Sequence, residues 1–116
     1  IEDRTVLILK DGDRVAIRKR PAKGLLAGLY ELPNLDGNLS EQQVLEQVKE
    51  WGLSPLRILP LAGAKHIFSH VEWHMEGVRI SLKTPIQSEN YVWVLKKELE
   101  NTYALPSAFE IFRKIL

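Results

Sequence analysis

Cysteine is absent from all 116 residues. That excludes disulfides, thiolate zinc sites and a cysteine-ligated iron–sulfur cluster within this stretch, and nothing points to an oxidising compartment. Methionine occurs once, at Met75, and the chain opens Ile1-Glu2-Asp3. Lacking a start residue, it reads as a piece of something longer. No apolar run approaches the ~18 residues that a membrane helix needs, and the N-terminus has no secretory pattern. The expectation is a cytoplasmic monomer with no membrane contact. An excess of charge of either sign is also missing: 16 Lys and Arg stand against 15 Asp and Glu, a net charge of +1. A domain that binds nucleic acid strongly by itself is usually far more basic. Any basic footprint must therefore be local, and Arg18, Lys19, Arg20 and Lys23 form one; a solvated strand end reads equally well there.

What is present has the pattern of one domain whose length allows a proper core. Thr5 to Lys10 (TVLILK) is apolar and β-branched, as a buried strand should be. Asp11-Gly12 supplies a hairpin turn, and a second strand runs from Arg14 to Arg20, closed by Pro21. A glycine-punctuated stretch follows, from Gly24 to Pro33 (GLLAGLYELP). Ser40 with Gln43 forms a capping box at the head of a helix. Val44, Leu45, Val48 and Trp51 make its apolar face, and Gly52 is the stop.

Strand-like segments continue at Arg57 to Leu61 and Val71 to Met75. In the second, Val71, Trp73 and Met75 alternate with Glu72, His74 and Glu76, one buried face and one wet. Glu76-Gly77 is expected to turn the chain into a further strand over Val78 to Lys83, and Tyr91 to Leu95 is another. Pro106, Ser107 and Glu110 predict a last helix with a second capping box, burying Phe109, Phe112 and Leu116. Strands, helix, strands, helix predict an α+β fold, a mixed sheet flanked by helices.

Two constellations invite metal chemistry. Gly28 to Pro33 followed by the helix ending Glu50-Trp51-Gly52-Leu53 resembles the strand–loop–helix of the Nudix hydrolases, whose helix carries R-E-x-x-E-E-x-G with carboxylates for Mg²⁺. Aligned on Gly52, this chain offers Leu45, Glu46, Lys49 and Glu50. Lys49 sets a cation among ligands for a hard ion that wants oxygens, and the loop Asn34-Leu35-Asp36-Gly37-Asn38 has lost its glycine richness. The expectation is a Nudix-like fold that is catalytically degenerate. His66, His70 and His74 recur every four residues, which on a helix would gather them; on a strand His70 and His74 stand about 13 Å apart. No metal site is expected.

The third constellation is Phe68-Ser69-His70 followed by Val71-Glu72-Trp73. It resembles the F-S-H loop of the C-terminal, MutT-like domain of the MutY adenine DNA glycosylases. Leu9 to Arg20, Gly24 to Pro33 and Tyr103 to Phe109 (YALPSAF) are similar to that family as well, so the likeness spans nearly the whole chain. The resemblance implies a repair protein whose catalytic N-terminal domain, absent here, removes adenine and holds an iron–sulfur cluster. This stretch would have no cofactor and no catalytic residue of its own. It would check double-stranded DNA for 8-oxoguanine opposite adenine, packing against that catalytic domain. The resemblance assigns Ser69 to the base edge, Phe68 to stacking or wedging, and His70 to backbone or base. Arg18, Arg20, Lys23 and Lys65 are the candidates for phosphate neutralisation. A free Nudix hydrolase of oxidised nucleotides and a protein-docking module are the alternatives.

Overall fold

The computed structural model describes residues 1–68, 71–83 and 91–116. Its centre is β1 (Glu2–Asp11). Val6, Leu7, Ile8 and Leu9 are all at most 1% exposed, so this strand is covered on both faces, as its unbroken apolar run requires. Asp11 and Arg14 close the hairpin into β2 (Arg14–Lys19), with Gly12 at φ 58° in the turn. β3 (Tyr30–Glu31) pairs with β2, and β4 (Asn34–Asp36) pairs with β1. α1 (Glu41–Glu50) starts at the expected capping box: Ser40 Oγ accepts from the Gln43 N–H at 3.2 Å, and Gln43 Oε1 accepts from the Ser40 N–H at 2.9 Å. It ends where Gly52, at φ 81°, donates to the Lys49 carbonyl.

The chain then runs out along β5 (Pro55–Ile67) and back along β6 (Glu72–Leu82). β6 lies parallel to β1, from Glu2 opposite Trp73 to Lys10 opposite Ser81. The main path of the mixed sheet is β3-β2-β1-β6-β5, with β7 (Val92–Leu95) on β2. β5 forms an edge, and Pro55, Pro60 and mostly exposed side chains suit it to that place.

Two cores result. Val44 and Val48 of α1 pack on Leu7, Leu9, Ala16 and Ile80. On the opposite face, Phe109 and Phe112 cover Val6, Ile8, Val15, Ile17, Trp73 and Met75. The arrangement is helix, mixed sheet, helix: the expected α+β, Nudix-like architecture.

Three local expectations are corrected. Glu76-Gly77 is no turn; both residues lie inside the single strand β6, Gly77 opposite Val6 on one side and Leu61 on the other. Glycine is required there for space: a Cβ would stand 2.5 Å from Phe112 Cε1. The strand buries Trp73 and Met75 toward the C-terminal helix before this point, and Val78, Ile80 and Leu82 toward α1 after it. The second capping box does not form. Glu110 is bound by Arg113 (2.9 and 2.5 Å) instead of capping Ser107, and the segment is a 3-10 turn (Ser107–Phe109) running into α3 (Glu110–Arg113). A short helix, α2 (Lys96–Asn101), follows β7 where none was predicted; Glu98 Oε1 accepts the Leu95 N–H at 3.0 Å at its start.

Candidate nucleic-acid interface

β5 and β6 form a long hairpin, and the Phe68 N–H donates to the Val71 carbonyl at 2.7 Å at its tip. Ser69 and His70, the two residues between them, lie outside the described residues. Phe68 is half-buried. Its ring meets Trp73 edge-on at 5.1 Å and His66 at 4.6 Å, while Trp73 in turn meets Phe109 at 6.0 Å. The tip is thereby anchored to the core by a row of aromatic contacts, each in the edge-to-face geometry that the ring quadrupole favours.

Trp73 is the hub. It is 2% exposed, its Nε1 donates to Glu2 at 3.2 Å, and the guanidinium carbons of Arg4 and Arg20 each stand 5.4 Å from its ring centroid. Arg20 therefore comes to the same ring as Phe68, although the two are far apart in sequence. Behind them, Glu31 is buried with three partners. Arg20 donates to Oε1 at 2.7 Å, Asn34 to Oε1 at 2.8 Å, and Arg18 Nε to Oε2 at 2.9 Å. Arg18 also donates to the Asn34 carbonyl (2.8 Å), and Arg20 Nε to the Leu25 carbonyl (2.9 Å). Arg4 completes the cluster through Asn34 and Asp36.

The four basic candidates thus occupy different settings. Arg18 and Arg20 share one carboxylate, leaving that trio with a single positive charge. Lys23 is exposed on the loop that Arg20 holds down, near Leu26, whose backbone is left-handed at φ 54°. Lys65 is exposed beside the hairpin tip, 3.9 Å from Glu72. Glu72 also takes His74 Nε2 at 3.0 Å, and that hydrogen bond, with help from Lys65, holds its carboxyl below the ordinary glutamate value. His66 meets Phe68 edge-on and does not join His74.

Sequence reasoning missed Glu31, Asn34, Arg4 and Trp73 as members of this site. Trp73 carried a signal, the Val-x-Trp that follows the loop. The pairing of Glu31 with two arginines carried none, because it depends on β2 lying beside β3.

The hydrolase-type helix does not gather ligands. Glu46, Lys49 and Glu50 are all exposed, and among the described residues Glu46 and Glu50 accept only long bonds of 3.4 Å from Gln42 and Gln47. Among the described residues no three Asp, Glu or His side chains converge as a metal would need. A Mg²⁺ ion of the kind Nudix hydrolases use does not fit this donor set, since Lys49 contributes a cation and no acceptor.

The chain as a whole has counterparts among known proteins. The profile of the NUDIX domain matches residues 4–114. Human adenine DNA glycosylase is 26% identical over 112 residues, covering 88% of this chain and 20% of that protein. Its mouse counterpart is 37% identical over 67 residues, 53% of this chain and 13% of the other. The chain thus spans about a fifth or less of the length of these relatives. Among solved structures, the C-terminal domain of mouse MUTYH, crystallised in complex with human PCNA, superposes with a TM-score of 0.77 at 24% identity, covering 99% of this chain and 87% of that one. A MutT NUDIX hydrolase from Burkholderia pseudomallei superposes at 0.76 with 17% identity, covering 97% and 95%.

Proposed function

We propose, from the premise that this chain belongs to the NUDIX domain family, that it is the lesion-reading part of an adenine DNA glycosylase and not itself a hydrolase. The observation that carries the reading is the match to human adenine DNA glycosylase across 88% of the chain. The replacement of a would-be metal ligand by Lys49 supports its second half. The same reading takes in DNA repair, duplex DNA as partner and a catalytic domain elsewhere in the parent protein, and the likeness to adenine DNA glycosylases supports it.

The chemical task is to tell 8-oxoguanine from guanine. Guanine N7 accepts a hydrogen bond on the major-groove edge; oxidation at C8 turns N7 into an N–H donor and adds a carbonyl oxygen. A reader needs an acceptor for the new N–H and a donor near O8. A serine hydroxyl with neighbouring backbone amides supplies both, and Ser69 takes that role in this proposal. Phe68 wedges beside a neighbouring base, and His70 bonds to backbone or base edge. The half-buried Phe68, leaning on Trp73, suits a rigid wedge, since a ring already anchored loses little freedom on stacking. Exposed Lys23 and Lys65 are the readier phosphate contacts. Arg18 and Arg20 contribute through the guanidinium N–H groups that Glu31 and the Asn34 and Leu25 carbonyls do not occupy.

The test is single-turnover adenine removal and binding by the parent protein, with adenine opposite 8-oxoguanine and opposite guanine. Ser69→Ala should reduce the preference by about tenfold or less, because one base contact is worth about 1–3 kcal/mol and a backbone amide retains part of it. Adding Phe68→Ala should reduce it further while adenine removal at saturating enzyme survives. A double variant that discriminates like the wild type refutes the loop assignment. Mg²⁺-dependent turnover of 8-oxo-dGTP by this chain, clearly above a Glu46→Gln control, refutes the non-hydrolase half.

A further inference from the structure

At the far end of the sheet from Phe68, a pocket of about 330 Å³ opens between β1, β6 and β5. Its lining includes Lys10, Gly12, Arg57, Arg79, Ser81 and Leu59, with no acidic side chain among the described residues. The strand register explains the convergence. Lys10 stands opposite Ser81 on one side and Arg57 stands opposite Ser81 on the other, making one row across three strands. Arg79 sits two residues before Ser81 and so on the same face, in the next row with Leu59. Neighbouring strands are about 4.8 Å apart, so three cationic side chains rise from a patch on the order of 10 Å across.

Among the described residues, no carboxylate lies within 4.0 Å of any of these three cations. Of the seven arginines, Arg4, Arg14, Arg18, Arg20 and Arg113 each lie within 4.0 Å of a carboxylate among the described residues. The two that do not are Arg57 and Arg79, and both line this pocket. Burial and the Arg79 charge also push the Lys10 ammonium below its ordinary value; Asp13, outside the lining, opposes that shift, and Lys96 adds to it. In a chain whose net charge is only +1, three cations in one concavity, none in an ion pair among the described residues, are a local excess.

We propose that the Lys10–Arg57–Arg79 pocket binds a phosphate group, with the guanidiniums, the ammonium and the Ser81 hydroxyl all donating to its non-bridging oxygens. Planar guanidiniums suit phosphate oxygens geometrically, and lysine adds a point charge. The pocket volume lies at the lower end of ligand sites, enough for a phosphate and the group it is attached to. From Trp73 to Arg79 the strand advances about 20 Å, so the site is separate from the hairpin tip and does not depend on the function assigned there. The phosphate comes either from a nucleic-acid backbone or from a small phosphorylated molecule.

Amide NMR of the 116-residue chain, titrated with inorganic phosphate against chloride at matched ionic strength and pH, tests this. Gly12 and Ser81 should shift saturably with phosphate. Arg57→Gln with Arg79→Gln should weaken that binding about tenfold or more, as expected for lost charge-assisted hydrogen bonds. Its melting temperature should hold or rise, because two of three crowded like charges are removed. A short unmodified duplex that moves the same amides and competes with phosphate identifies the backbone as the source. A duplex that leaves them unmoved while phosphate saturates identifies a small phosphorylated ligand. Shifts that are linear and equal in chloride, or a double variant that binds undiminished, overturn the proposal.

Discussion

Substituting alanine for Gly77 adds one methyl group at a point where the sheet and the C-terminal helix nearly touch. That carbon would lie 2.5 Å from Cε1 and 3.2 Å from Cδ1 of Phe112, and 3.3 Å from Cβ of Leu61. Carbon atoms prefer about 3.5–4.0 Å, so the ring must retreat by about 1 Å. Phe112 has nowhere to go: it is 0% exposed and packed among Trp73, Met75 and Phe109. Gly77 is not among the residues at positive φ, so alanine brings no backbone strain, and its lower unfolded-state entropy returns about 0.4–1 kcal/mol. Against that, overpacking a filled core costs about 1–3 kcal/mol, and this overlap belongs at the upper end. The net is a loss of about 2 kcal/mol, or about 8 °C in melting temperature at about 4 °C per kcal/mol for a domain of this size. Thermal and urea unfolding followed by circular dichroism would measure it. In a Phe112→Leu background, where the ring is gone, the Gly77→Ala penalty should shrink by at least about 1 kcal/mol. Wild-type stability for Gly77→Ala, or an equal penalty in both backgrounds, refutes the steric account.

Two further outcomes are expected. Glu31→Gln keeps the shape but strips the charge that Arg18 and Arg20 share, and breaking a buried ion pair on one side costs about 3–5 kcal/mol; urea unfolding should show a loss of at least about 2 kcal/mol, and a neutral result would mean the arginines find other partners. Glu72 should titrate below the ordinary glutamate range, and His74→Ala should move it upward, because the His74 hydrogen bond is the largest cause of its lowering; carbon-detected NMR titration reads this directly. A depressed carboxylate contributes stability above its unfolded value that is lost as pH falls through the lowered one, so the His74→Ala stability difference should fade on acidification below the ordinary carboxylate range.

Much of this fold is legible because its signals are local. The Ser40–Gln43 box, the Val44 and Val48 face and Gly52 all act within a few residues of one another, and α1 forms where they place it. The apolar run of β1 needs both faces covered, whichever elements cover them. Gly77 was opaque for the opposite reason. Glycine after glutamate looks like a turn, and what makes it a strand residue is a ring from the last helix. α2 has Leu95, a residue with no capping side chain, at its N-cap and relies on Glu98 reaching back. Glu110 had two possible partners, and Arg113 holds it. The site divides similarly. The basic run from Arg18 to Lys23 and the Phe68 segment stand out in the sequence. That Arg20 and Phe68 share Trp73, and that Glu31 engages two of the basic residues, follows only from strand pairing.

The parallel pairing of β1 with β6 also sets an order on biosynthesis. A ribosome delivers β1 first, but the strand along its long edge, Trp73 to Ser81, emerges only after the intervening chain has been made. Until then β1 has only two paired positions with β2 and three with β4. At ~5–20 residues per second the wait is on the order of ten seconds. Throughout it Val6-Leu7-Ile8-Leu9, a short uncharged β-prone segment, lacks most of its cover, which is the composition that aggregates when left unpaired. Contacts this distant in sequence also close slowly once the chain is complete. The strand that anchors the finished sheet is thus the one a nascent chain has to shield longest, and a chaperone that holds extended apolar segments would find its binding site there.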